Sequence, residues 1–274
     1  PEDMELVLGS PSVRRRYLDV ALSTLDGTYL RLLNQYNKIL EQRNSLLKAI
    51  RERPASSRRE RLSELEYWDH ELINRAAYIV AARVRFVGVI AAPLDESFRT
   101  LLGQEFELSA EYTANGNSEM PVGIRASRQD PIDAQRTIAQ WLESEINNRR
   151  DEEFARGVTA AGPHRDDLTF LLDGRDLEAY GSRGQQRLAV VSLKLAEIEA
   201  IRQATGESAV LLLDDVLSEL DEGRRKRLLS RLSDIGGQLI VTATDINLLE
   251  TELLEHLPLH EVEAGTVTRR VARG

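Results

Sequence analysis

Two adjacent carboxylates, Asp214 and Asp215, follow a run of five apolar residues, 209–213. Acids in such a position divide the labour between them, one holding Mg2+ on a nucleotide while the other orients or deprotonates a water. An apolar run without polar alternation suits a strand buried on both faces, as in a parallel sheet. In open α/β sheets ligands bind beyond the carboxyl ends of such strands. The plainer use of an aspartate pair is to cap the next helix, and these residues alone do not separate the two.

A second group lies upstream. Gly181-Ser182-Arg183-Gly184-Gln185 opens a stretch with Leu188, Val191, Leu195 and Ile198 at helical spacing, closed near Gly206. A helix start with a Ser hydroxyl and unhindered Gly amides receives a phosphate well. An ordinary N-capped core helix is the commoner meaning of a lone S-x-G-Q. Its conjunction with the two acids and with Ser218-Glu219-Leu220-Asp221 is far more specific. No Gly-Lys dipeptide occurs, so the sequence contains no Walker A phosphate loop.

The elements that must position these residues are read from periodicity. A helix is expected over 12–25, broken at Asp26-Gly27, then a longer one from Thr28 to before Pro54, and a third over 60–92. Their mixed three- and four-residue apolar steps describe a packed bundle rather than a long coiled coil. Residues 104–112 alternate as a half-buried strand before a turn at Asn115-Gly116, and a helix follows over 131–156. Residues 167–172 and 177–180 read as a hairpin around Asp173-Gly174 that delivers the chain to Ser182. After Asp215, a crossover helix over 222–235 and a strand over 238–243 make a right-handed β-α-β unit. Thr242, Thr244 and Asp245 end that strand beside the first. The run Arg224 to Arg227 reads as a solvated helix face. His256 and His260 have helical spacing but Pro258 between them, so both read as surface residues.

Composition sets bounds. The 274 residues are 42% hydrophobic and carry a net charge of −9, enough for a substantial core. The chain has no cysteine, which fits a reducing, cytoplasmic setting, and no apolar run long enough to suggest a membrane span. The charge is uneven: residues 12–61 hold twelve Lys or Arg against five acids, a candidate for phosphate-backbone contact or a solvated helical face.

The segments GPHRDDL (162–168), GSRGQQR (181–187), LKLAE (193–197) and LLLDDVLSELD (211–221), with Ser10-Pro11 and RRRYLD (14–19), resemble the RecF family of DNA repair proteins. That family is related to the ABC-type ATPases of the SMC/Rad50 group, and the resemblance covers almost the whole chain. It implies an α/β fold, a partial ABC-type P-loop ATPase head with a mainly helical second lobe carrying the signature motif. The division expected is 1–11 as the end of an N-terminal ATPase lobe, 12–205 as the helical and signature lobe, and 206–274 as the returning ATPase lobe. The implied cofactors are ATP and Mg2+. Asp214 would hold the metal and Asp215 would be the general base. Ser182, Gly184 and Gln185 would cap the ATP of a second subunit, with Ser218 and Asp221 in the D-loop and Thr244 at the γ-phosphate position, where ABC-type proteins usually have His.

The family's role implies an ATP-dependent homodimer with slow hydrolysis that binds single- and double-stranded DNA at gaps. There, with RecR and RecO-type mediators, it helps load the RecA recombinase; no membrane is involved. Arg14, Arg15 and Arg16 are the first residues expected at DNA. Without a phosphate loop the chain alone is not expected to hydrolyse ATP. The alternatives are an SMC-like head, a transporter's nucleotide-binding subunit, or a non-catalytic DNA- or protein-binding module. His164 reads as a structural hydrogen-bonder, with a role at nucleotide or DNA as the alternative.

Overall fold

A computed structural model describes residues 2–52, 59–103, 105–114, 120, 131–233, 237–245 and 258–270. Its spine is α4 (Arg59–Leu102), a helix of 44 residues. The expected helix over 60–92 continues ten residues further and takes Pro93 into its interior. Leu72, Ala76, Ile79, Val80, Phe86, Ile90, Leu94 and Phe98 are all buried on it. This stripe is wide enough to pack α3 (Gly27–Arg51), α5 (Pro131–Asn148) and α8 (Arg183–Thr205) around one helix. By length and composition α4 is apolar enough to cross a membrane. Here its apolar positions belong to the core, and Arg83 sits among them with its charge paired.

The helices around α4 follow the caps written in the sequence. α1 (Glu5–Leu8) buries Leu6 and Val7. α2 (Pro11–Leu25) starts one residue before the expected Ser12, with Ser10 at the cap position and Pro11 in the first turn. Asp26 ends α2 and caps α3, its side chain accepting from Thr28 N at 2.8 Å. The helix expected over 131–156 is interrupted at Arg149 (φ −101°, ψ 11°), giving α5 and α6 (Arg150–Arg156).

Three small sheets complete the fold among the described residues. β1 (Leu108–Thr113) pairs antiparallel with β2 (Asp167–Leu172), and β2 with the two-residue β3 (Arg175–Asp176). The expected second hairpin strand over 177–180 is instead a helical turn, α7 (Leu177–Tyr180), capped by the Asp176 carboxylate. β4 (Val210–Asp214) lies parallel to β5 (Gln238–Thr242), joined by α9 (Glu222–Ser233). β6 (Leu259–Glu263) and β7 (Thr266–Arg270) form a hairpin, with His260 exposed on β6. His256 and the Asn115-Gly116 turn lie outside the described residues.

Two buried guanidinium clusters fasten these pieces. Arg43 of α3, fully buried, forks onto Glu153 of α6 at 2.6 and 2.9 Å and reaches Asp69 of α4 at 2.7 Å. Arg83 of α4 donates to Asp19 of α2 at 2.7 Å, Tyr29 of α3 at 3.1 Å and the Pro163 carbonyl at 2.8 Å. Beside it, His164 Nδ1 meets Tyr36 Oη at 2.5 Å and Nε2 faces the Thr159 carbonyl at 3.2 Å. The carbonyl makes Nε2 the protonated nitrogen and leaves Nδ1 to accept from tyrosine. Burial pushes the His164 pKa down to about 4, opposed by the Thr159 carbonyl and assisted by the charges of Arg165, Arg15 and Arg43. His164 is therefore a neutral structural bridge.

Because the folded pKa lies below the ordinary 6.5, the unfolded chain takes up a proton first as pH falls. The stability this group contributes is complete above pH 6.5 and is lost between 6.5 and 4, on the order of 3 kcal/mol. His164→Gln should be less stable than the parent at pH 7.5, and the gap in urea midpoint should close towards pH 5. A gap independent of pH would contradict the neutral bridge.

Candidate functional site

β4 shows a pattern the sequence did not suggest. Leu211 and Leu213 are buried, whereas Val210 and Leu212 are 61% and 60% exposed, as is Ile240 of β5 at 45%. The strand expected to be buried on both faces is covered on one only, by the helical core. The five apolar residues carry no mark of which face has a neighbour, so periodicity could not settle this.

At the carboxyl end of β4 the chain turns abruptly. Asp214 pairs with Thr242 of β5 in register, and Thr242 Oγ1 donates to Asp214 Oδ1 at 2.6 Å while accepting from Asp215 N at 3.0 Å. Asp215 adopts a left-handed conformation (φ 51°, ψ 21°), which Asp tolerates better than most residues. Ser218 Oγ closes the turn on the Asp215 carbonyl at 2.9 Å. Both carboxylates are exposed. Thr242, not proposed for the site from the sequence, holds the two acids in place; the parallel register is what singles it out. Thr244 is exposed two residues beyond the strand.

The helix start at Ser182 is a full capping box. Ser182 Oγ accepts from Gln185 N at 3.3 Å, and Gln185 Oε1 accepts from Ser182 N at 2.8 Å. These side chains are thus committed to each other. The first intrahelical bond runs from Gln186 N to Ser182 O, so the amides of Arg183 and Gly184 have no protein acceptor among the described residues. Ser182 and Arg183 are exposed, and Gly184 and Gln185 partly so. An anion arriving here would meet two free amides and the positive end of a 23-residue helix.

Side-chain links bring this helix start to the turn after β4. Arg187 of α8 forks onto Glu219 at 2.6 and 2.7 Å. Asp221 caps α9 through Arg224 N at 2.9 Å and pairs with the Arg224 guanidinium at 3.2 Å. That guanidinium lies over Gly184, 2.9 Å from where a Cβ would sit, so glycine permits the approach. The run Arg224 to Arg227 is therefore only partly a solvated face: Arg225 donates to the Leu220 carbonyl, and Arg227 to the carbonyls of Leu101 and Leu102 at the end of α4.

The arginines of α2 fare differently from one another. Arg14 is buried, forks onto Asp167 at 2.7 and 2.8 Å and reaches the Gly9 carbonyl. The Asp167 hydrogen bond raises its pKa against the cost of burial. A DNA phosphate at Arg14 would have to displace Asp167. Arg15 spends one donor on the Asp166 carbonyl at 2.7 Å. Arg16 is exposed and makes no ion pair among the described residues. Of the basic residues over 12–61, Arg14 and Arg43 are buried in ion pairs, whereas Arg16, Arg31, Lys38, Lys48 and Arg51 remain exposed, Arg51 while donating to the Arg156 carbonyl.

The oxygen donors present at the β4 end fit Mg2+. The ion takes one or two carboxylates and completes its shell with water and phosphate oxygens, and Asp214 and Asp215 are exposed acids. Among the described residues no three His, Cys, Asp or Glu side chains form a standing cage.

A parallel strand ending in two acids and a capped helix start tied to the turn after that strand fit a partial ABC-type ATPase head with a mainly helical second lobe. The chain belongs to the RecF family. It is 44% identical over 265 residues to the DNA replication and repair protein RecF of Thermomicrobium roseum, covering 97% of this chain and 66% of that protein. Against the RecF of Bacillus subtilis it is 38% identical over 272 residues, 98% of this chain and 68% of the relative. Its fold matches the solved structure of the recombination mediator protein RecF-ATPrS in the RecFOR pathway with a TM-score of 0.77 at 30% identity, over 99% of this chain and 66% of that one. The RecF-ATP structure matches at 0.74. The chain matches no protein-family model. It spans about two thirds of the length of these relatives.

Thr242→Val should lower stability by roughly 0.5–1.5 kcal/mol and free the Asp215 amide to exchange. Amide hydrogen exchange that is no faster at Asp215 than in the parent would show that the hydroxyl does not hold the turn.

Proposed function

We propose that this chain is the signature-bearing part of a RecF-type ATPase that dimerises on ATP and acts in recombinational DNA repair at single-strand gaps. The observation that carries this reading is the junction of the Ser182 helix start with the turn after β4. Ser182, Ser218 and Asp221 are exposed on segments linked by Arg187–Glu219, while Asp214 stands exposed at the strand end. A second copy approaching this surface would meet both segments at once. In this reading the division of labour is 1–11 with 206–274 as ATPase lobe and 12–205 as helical and signature lobe. The phosphate loop comes from the portion of the relatives outside this chain, packed on the uncovered face of Val210, Leu212 and Ile240.

The residues would act as follows. Asp214, braced by Thr242, holds Mg2+, which neutralises charge on the phosphate oxygens when bound. Asp215, exposed in the left-handed turn, would orient and deprotonate water. The free amides of Arg183 and Gly184, with Ser182 and Gln185 once their capping box opens, receive the phosphates of the partner subunit's ATP. Arg224, over Gly184, adds a cation at that edge. Ser218 and Asp221 carry the D-loop contact between copies, and Thr244 lies nearest the γ-phosphate. DNA, single- and double-stranded, is the substrate surface's ligand, and RecR- and RecO-type mediators are its protein partners, in the cytoplasm.

In the full-length protein, Ser182→Arg should retain ATP binding yet fail to dimerise with ATP, read by light scattering. Unaltered dimerisation would remove the composite site. Of the three α2 arginines, Arg16 is the one with no hydrogen-bond or ion-pair partner among the described residues. Arg16→Glu should make the slope of log affinity against log salt shallower by about one or two phosphate contacts, and an unchanged slope would exclude it.

A further inference from the structure

A cavity of about 620 Å3 opens between α2, the first half of α3 and the Pro163-His164 turn. All its lining residues precede Arg165, so it is built without α8, β4 or any residue of the nucleotide site. Its size falls within the range of sites that hold small ligands or a few residues of peptide. The floor is the locked network of Arg83, Tyr36 and His164, in which Asp19 offsets the Arg83 charge and His164 is neutral. The rim is cationic: Arg15 has donors to spare beyond its bond to Asp166, and Arg16 has no partner among the described residues. Aliphatic side chains stand beside them, with Val20, one turn after Arg16 on α2, 58% exposed and Leu30 of α3 45% exposed.

Two features specify the occupant. Burial first, and the Arg83 charge second, weaken the hold of Arg15 on its proton, the reverse of Arg14, whose pKa the Asp167 bond raises. An anion at this rim would meet the donors that Arg15 and Arg16 leave unused, and Arg binds anions in bidentate fashion. Secondly, the cavity lining offers no Phe, Tyr or Trp ring to solvent. Tyr36 is 1% exposed, and unpaired bases are held mainly by stacking on exposed rings. A wall of Val and Leu receives an aliphatic side chain instead.

We propose that this cavity docks a short segment of a partner protein that carries one or two carboxylates beside an aliphatic side chain. The carboxylate lies between Arg15 and Arg16, and the aliphatic group covers Val20 and Leu30. The proposal goes beyond the nucleotide reading and does not need it. Because Arg16 stands on the rim, a docked peptide and a DNA phosphate compete for it.

Random peptides displayed on phage, selected on this chain without nucleotide or DNA, test the site. Enriched peptides are synthesised with a fluorescent label and titrated against the parent, Val20→Glu and Arg16→Glu, both at exposed positions. The expected result is enrichment of Asp or Glu next to Leu, Ile or Val, with affinity at least tenfold weaker for each variant. Peptides without acidic residues, no enrichment, or affinities indifferent to both substitutions would overturn the proposal. So would a labelled oligothymidylate that binds with the same dependence on Val20, which would assign the cavity to nucleic acid. Since no DNA enters the peptide titration, its failure is distinct from loss of DNA binding in Arg16→Glu.

Discussion

A charge buried in the middle of the longest helix organises this protein. The Arg83 guanidinium is almost wholly removed from water, and an unpaired charge there would cost several kcal/mol. The partners that offset it come from α2, α3 and the turn before β2, up to 80 residues from Arg83 in the sequence. Satisfying one side chain therefore fixes the relative placement of elements that no local rule connects. Tyr112 donates to Asp166 and Arg14 forks onto Asp167, so the start of β2 is bound to β1 and α2 as well.

That anchorage bears on the site through a short path. β2 leads by way of β3 and α7 to Ser182, so the position of the helix start is inherited from the buried cluster. On the far side, α8 packs on α4 and carries Arg187 to Glu219. The two segments proposed to meet a partner are thus held by the same spine and by a direct ion pair. The pair is partly exposed, so its energetic contribution is modest; its effect is to keep the helix start and the turn in register. The close approach of Arg224 to Gly184 works the same way, since a side chain at 184 would push the guanidinium aside.

The motifs GPHRDDL and RRRYLD stand apart in the sequence yet form one clasp. Arg14 meets Asp167, Arg15 meets the Asp166 carbonyl, and His164 joins Tyr36. Residues that carry a family resemblance are easily read as contacts for a ligand. Here several of them serve the interior, and the free cation of the arginine triplet is its last member.

Helix caps, turn residues and apolar periodicity determined much by themselves. The Asp26 break, the Ser182 start, the Gly206 stop and the parallel strand ending at Asp214 follow from local chemistry, as does membership in the family from motifs in combination. Local rules did not extend to the break at Arg149 or to the continuation of α4 past Pro93, where packing outweighed propensity, whereas the helical turn at 177–180 follows from a local cap, Asp176 before Leu-Glu-Ala, that the strand expectation overlooked. Nor could they say which charges are buried, because Arg14 and Arg16 are the same residue type on successive helix faces. Only tertiary structure decided that Thr242 braces the acids, and that β4 is covered on a single side. Both depend on which segment lies alongside, a long-range fact that the order of residues along one strand does not contain.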